Sequence, residues 1–99
     1  MAEPIYKLFL VRFLDSWYQL SKEEQAGLQA KLGEAFEQAG GKRIVFCDAS
    51  WAAEEWSEFG VESFPDLAAV QQFRKALDAF NWFRYVETMT ILGTSIDDV

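Results

Sequence analysis

The chain has 99 residues, 51% apolar and 16% aromatic, with 9 lysines and arginines against 16 aspartates and glutamates for a formal charge of −7. That length predicts one domain with its own core, and the acidic surface opposes phosphate backbones and anionic lipid, so neither nucleic acid nor a membrane surface is an expected partner. The sequence contains no histidine, which removes the commonest general base, the commonest metal ligand and the usual proximal haem ligand together.

Catalysis must then run on carboxylate, tyrosine, lysine or backbone groups, or on a cofactor brought in; no resident cofactor and no metal is expected. Cys47 is the only cysteine, so an intrachain disulfide is impossible. No apolar run reaches the length of a bilayer span, and the chain opens with Glu3 and Pro4 where a leader would carry a basic segment, so the cytoplasm is the expected compartment.

Residues 5–14 (IYKLFLVRFL) predict a first strand that is apolar on both faces. A strand with one wet face alternates apolar with polar, so this one needs cover twice. A connector over 15–20 carries Trp17 and Tyr18. Ser21-Lys22-Glu23-Glu24 then predicts a capping box, in which the Ser21 hydroxyl meets the Glu24 amide and the Glu24 carboxylate returns to the Ser21 amide. The helix that follows has Leu28, Leu32 and Phe36 on one stripe, supported by Ala35 and Ala39, and ends at Gly40-Gly41.

Residues 43–49 (RIVFCDA) predict a second strand, and 56–63 (WSEFGVES) a third. Phe64-Pro65, flanked by Ser63 and Asp66, predicts a helix start with proline in the first turn. Val70, Phe73, Leu77 and Phe80 mark its apolar stripe. The helix ends near Asn81, residues 84–93 (RYVETMTILG) supply a fourth strand, and 94–99 form a frayed acidic tail.

The order β-α-β-β-α-β with right-handed crossovers predicts an α+β fold: a ferredoxin-like four-stranded antiparallel sheet with both helices on one face, a single domain over 1–99. The face without helices needs a partner, and a second copy of the chain is the expected one. Strand parity places Phe9, Val11, Phe13, Phe59, Val61, Tyr85, Glu87, Met89 and Ile91 on the helix-covered face. Leu8, Leu10, Arg12, Trp56, Glu58, Glu62, Val86, Thr88, Thr90 and Leu92 fall on the open one.

The segment from Trp17 to Glu24 (WYQLSKEE), Phe64-Pro65-Asp66 and Trp82-Phe83-Arg84-Tyr85 resemble small bacterial proteins of the dimeric α+β-barrel superfamily, in particular its uncharacterised branches such as the darcynin-like proteins. The resemblance covers nearly the whole chain. That superfamily holds cofactor-free quinol-type monooxygenases, polyketide cyclases, muconolactone isomerases, haem-dependent chlorite dismutase relatives and proteins without known activity. The resemblance therefore implies a homodimer with a pocket more firmly than it implies a reaction. The histidine used by several cyclase and stress-responsive branches is absent.

Glu87 is the one acid assigned to the covered face. Desolvation there would favour its neutral form and fit it for proton transfer near neutrality, with Tyr85 beside it. The ordinary alternative is that Glu87 lies at a sheet edge or pairs with an arginine in a structural bridge. Trp17, Trp51 and Trp82, with Phe9, Phe13, Phe59 and Met89, are expected to line a pocket between sheet and helices. Trp56 and Trp82 serve equally as core and dimer filling. Arg12 is expected to pair with Glu58 or Glu62 within the dimer face, or to bind an anionic substrate group. Cys47 has no visible activator and is expected to be an inert buried thiol. Asp48 with Glu54-Glu55 is expected to be a solvated acidic loop.

Two functions remain open at this point. One is a cofactor-independent enzyme of monooxygenase, isomerase or cyclase type acting on a small apolar aromatic or cyclic metabolite. The other is a non-catalytic homodimer that binds a hydrophobic ligand or serves as an interaction module. A haem-dependent reading comes third, for want of the histidine. A cavity of several hundred Å³ reaching Glu87 would favour the first, and a solid core the second.

Overall fold

A computed structural model describes residues 3–52 and 55–96. Its elements are β1 (Ile5–Phe13), a one-turn helix α1 (Asp15–Tyr18), α2 (Lys22–Gln38), β2 (Lys42–Asp48), β3 (Glu58–Phe64), α3 (Leu67–Ala79), a 3₁₀ turn (Trp82–Arg84) and β4 (Val86–Gly93). The four strands form one antiparallel sheet in the order β2-β3-β1-β4, the ferredoxin-like arrangement expected. Helices cover one side only, and the protein is a two-layer slab with extents of 46 × 31 × 16 Å.

Local chemistry sets the helix ends. The capping box forms as anticipated, with the Glu24 amide donating to Ser21 Oγ at 3.0 Å and the Ser21 amide donating to Glu24 Oε1 at 2.9 Å. At the far end Gly40 takes φ +75°, a conformation that only a residue without Cβ enters freely. Helix α3 begins one step later than expected. Asp66 is its N-cap, accepting from the Ala69 amide at 2.8 Å, so Pro65 lies just outside the first turn instead of within it.

Two aromatic groups fix the helices to the sheet. Phe64, the most buried large side chain at 1% exposure, forms a ring triangle with Phe36 of α2 and Phe73 of α3, every centroid separation being 5.6 Å. Trp17 packs between Phe13 at 5.1 Å and Trp82 at 5.7 Å, so the short helix α1 serves to bring an indole into the core. Rings at these separations add edge-to-face attraction to the burial of their area.

The register decides which side each strand residue faces, because directly opposed residues share a face. On the helix side three transverse rows run from β2 across β3 and β1 to β4: Arg43, Glu62, Lys7, Leu92; then Phe46, Gly60, Phe9, Thr90; then Asp48, Glu58, Val11, Thr88. Phe9, Val11 and Phe13 lie on the helix side as expected. In β3 and β4 the expected faces are exchanged. Phe59, Val61, Glu87, Met89 and Ile91 point to the open side, and Glu58, Glu62, Val86, Thr88, Thr90 and Leu92 point toward the helices. The apolar parity of both strands thus belongs to the side that has no helix.

One irregularity shapes the edge of the sheet. Arg43 opposes Glu62 and Val45 opposes Val61, which leaves Ile44 as an extra residue in a bulge. Through that insertion Arg43 and Phe46, three positions apart, come to the same face. A regular strand would send them to opposite ones. Residues 97–99 of the expected tail, and Glu54 of the expected acidic loop, lie outside the described residues. No described helix is long and apolar enough to cross a membrane.

Candidate functional site

Between the sheet and the helices lies a cavity of about 860 Å³. Phe9, Val11 and Phe13 form much of its floor, Leu32 and Phe36 of α2 with Val70, Phe73 and Leu77 of α3 bound it from above, and Trp82 is part of its wall. Its size lies within the range of small-molecule sites, and its lining is mainly apolar with a few charged groups.

Lys7, Glu62 and Arg43 of the first transverse row supply three of those charges, and Glu58, Arg74 and Lys75 the others. Lys7 and Glu62 are directly opposed on β1 and β3, with Lys7 Nζ 4.0 Å from Glu62 Oε2 and side-chain exposures of only 16% and 10%. That separation is an ion pair but too long for a hydrogen bond, and Glu62 Oε2 is buried with no hydrogen-bond partner in the structure. The Lys7 ammonium sits 5.0 Å from the centroid of Phe73 and 6.0 Å from that of Phe9. Burial pushes the Lys7 amine below its ordinary pKa, with Glu62 opposing and Arg74 adding to the effect. Burial likewise raises the Glu62 carboxyl, against the pull of Lys7 and Arg43. Burial therefore biases both groups toward their neutral forms, against the attraction each has for the other's charge.

Two further groups shape the site. Glu58 is raised by desolvation and by Asp48, its neighbour across the strand pair. Arg43, brought round by the bulge, lies with its guanidinium 4.4 Å from the Phe46 ring centroid, and both residues line the cavity.

The expected site residues divide as follows. Phe9, Phe13, Trp82, Glu58 and Glu62 line the cavity. Trp17 is core, 6% exposed, and Tyr85 lies against it at 6.4 Å, beside a smaller hollow of about 250 Å³. Trp51, 84% exposed, stands on the β2–β3 connection away from the cavity. Phe59 and Met89 lie on the open face because their shared register partner, Leu10 of β1, does.

Glu87 also lies on that face. It pairs there with Arg12, its register neighbour, so the acid expected to handle protons is instead held in a surface bridge. Arg12 does not meet Glu58 or Glu62, which face the other side; its remaining neighbours are Glu55 at 3.9 Å and the Trp56 ring at 5.6 Å. Cys47 is only partly buried. Asp48 accepts from the amide and hydroxyl of Ser50 at 2.9 and 2.6 Å, which holds its carboxyl below the usual range.

Lys7 is the residue that the sequence reading passed over. The signal was present: Lys7 shares parity with Phe9, Val11 and Phe13 and is the one cation on that side of the first strand. A charge among such neighbours has no solvent to face and must meet a partner or a ligand.

No protein-family model matches the sequence, and no curated protein matches it. Solved structures do. A haem-binding protein from Thermus thermophilus is similar at 21% identity and a TM-score of 0.64, over 95% of this chain and 40% of that one. A dimeric ferredoxin-like protein of unknown function from Thermobifida fusca is similar at 14% identity and a TM-score of 0.60, over 96% and 93%. SnoaB, a cofactor-independent oxygenase from Streptomyces nogalater, is similar at 15% identity and a TM-score of 0.54, over 95% and 94%. What the chain shares with them is the ferredoxin-like fold, which is the fold that the resemblance read from the sequence implies.

Proposed function

We propose that the protein is a homodimeric, cofactor-independent enzyme that acts on a small, largely apolar aromatic or cyclic metabolite bound between sheet and helices. The observation that carries this reading is the pairing of Lys7 with a buried Glu62 oxygen that lacks a hydrogen-bond partner, on the floor of a mainly apolar chamber. A carboxyl and an amine both pushed toward neutrality can give and take protons without water. Glu62 takes over the acid–base role first assigned to Glu87. The fold shared with SnoaB is compatible with chemistry that needs no cofactor. Haem would lack its usual imidazole here, since the chain has no histidine.

The second copy is the natural cover for the open side of the sheet. Leu8, Phe59, Met89 and Ile91 stand 38%, 38%, 53% and 60% exposed on that side, a contiguous apolar surface of the kind that marks an interface. A dimer built this way leaves one chamber within each protomer and buries the two sheets against each other.

The test is a panel of aromatic and cyclic alcohols, acids and lactones, followed by tryptophan emission and by product formation. A true substrate changes the emission contributed by Trp82 and is turned over. Glu62→Gln should still bind it but lose turnover. Binding without turnover by the wild-type protein supports the ligand-binding module instead; no compound altering the Trp82 contribution would sink the chamber itself.

A further inference from the structure

The geometry points to Lys7 as a covalent catalyst whose amine condenses with the carbonyl of an apolar aldehyde or ketone to give an imine inside the sheet–helix cavity. This inference rests on the proposal above that the cavity is a substrate chamber, and it names the class of substrate and the nucleophile.

Three features of the site converge on it. First, Lys7 stands at one end of the floor that it forms with Phe9, Val11 and Phe13, with Glu62 opposite it on β3 and Leu92 opposite it on β4, so an apolar carbonyl compound bound over that end of the chamber presents its carbonyl to the amine. Second, burial of the Lys7 side chain, 16% exposed, favours the free amine against the opposing pull of Glu62, and the weaker like charge of Arg74 acts in the same direction as burial. Third, the Glu62 oxygen 4.0 Å away has no hydrogen bond of its own and is free to exchange protons with whatever forms beside Lys7.

The step balances without any further reactant. The Nζ lone pair forms the new bond to the carbonyl carbon, and the carbon–oxygen π pair moves to oxygen, which takes the proton of the neutral Glu62 carboxyl to give a carbinolamine and leaves Glu62 as a carboxylate. Nitrogen gives up a proton to Glu62. Glu62 returns it to the hydroxyl, which departs as water while the nitrogen lone pair closes the carbon–nitrogen double bond. The resulting iminium carbon withdraws electrons from the adjacent position and makes its protons removable, an outcome useful to an isomerase or a cyclase.

Trapping tests the assignment on the full chain. Wild-type protein is treated with benzaldehyde and sodium cyanoborohydride at pH 7, and each lysine is mapped by peptide mass. Lys22, Lys31 and Lys42 are exposed and lie outside the cavity lining, and serve as internal references. An ordinary lysine is less than ~0.1% free amine at that pH, so Lys7 should be alkylated at least about tenfold faster than any of the three. Benzyl alcohol, which has the ring but no carbonyl, should slow labelling of Lys7 alone and alter the emission that Trp82→Phe removes. Even labelling of Lys7 and the three references overturns the nucleophile. If benzyl alcohol still perturbs Trp82 in that case, the chamber survives; if it does not, the proposed function falls with it.

Discussion

Gly60→Ala tests whether the chamber floor is built as described. Gly60 lies between Phe46 and Phe9 in the second transverse row, and a Cβ there would stand 2.6 Å from the Val45 carbonyl oxygen, with Phe9 Cζ and Cε1 at 2.8 and 3.0 Å. Carbon–oxygen contacts in sheets settle at about 3.3–3.6 Å, so the β2 backbone must retreat by most of an ångström, and the Phe9 ring must rise into the cavity. Overpacking of this kind costs about 1–3 kcal/mol, offset by about 0.4–1 kcal/mol because alanine restricts the unfolded chain. A net loss near 1–2 kcal/mol lowers Tm by roughly 5–15 °C in a chain of this size. Thermal unfolding at one fixed protein concentration reads it, since association shifts Tm as well. Adding Phe9→Leu removes the ring atoms but not the carbonyl, so coupling measured in the double variant should recover only part of the loss. An unchanged Tm for Gly60→Ala would refute the close approach of β2 to β3 and the floor drawn from it.

Three other outcomes follow from the same geometry. Ser21→Ala removes the hydroxyl half of the capping box and should cost about 1 kcal/mol, seen as a fall in Tm that Ser21→Thr largely avoids. Ile91→Glu puts a charge on the apolar surface assigned to the second copy and should weaken dimerisation at least a hundredfold, about 2.7 kcal/mol, in sedimentation at micromolar concentration; a wild-type protein that sediments as a monomer would remove the dimer. Because the folded-state pKa of Glu62 lies above its ordinary 4.5, the native protein holds a proton that the unfolded chain has already released. Stability should therefore fall as pH rises from 4.5 through that elevated value, and urea midpoints of Glu62→Gln should lose this slope.

Much of the fold was legible in the sequence because the signals were local. The serine and glutamate three residues apart fixed one helix start, the paired glycines ended that helix, and runs rich in β-branched and aromatic residues located all four strands. The faces of β3 and β4 were misassigned for a physical reason. The reading gave the more apolar parity to the side covered by helices, whereas Phe59, Val61, Met89 and Ile91 occupy the side without them. Hydrophobic-in patterning assumes that the covered side is solid, and here it encloses a chamber that accommodates Glu58, Glu62, Thr88 and Thr90. Departures from a local rule gather where a site is built. The meeting of Lys7 with Glu62 was hidden by register, since one residue of slip exchanges every side chain between faces. The bulge at Ile44, which brings Arg43 to the cavity, has no sequence signature of its own.

That bulge also bears on how the molecule stays dispersed. Strand β2 forms one border of the sheet and carries Ile44, Val45 and Phe46 at 57%, 44% and 41% exposure, a short greasy ribbon with an unpaired backbone row. Such borders template growth by strand addition, the first step toward fibrils. The extra residue breaks the straight run of donors and acceptors, and Lys42 and Arg43 at one end with Asp48 at the other set charge against any incoming strand. The kink that turns a guanidinium toward the chamber thus also spoils the template along which a foreign chain would zip.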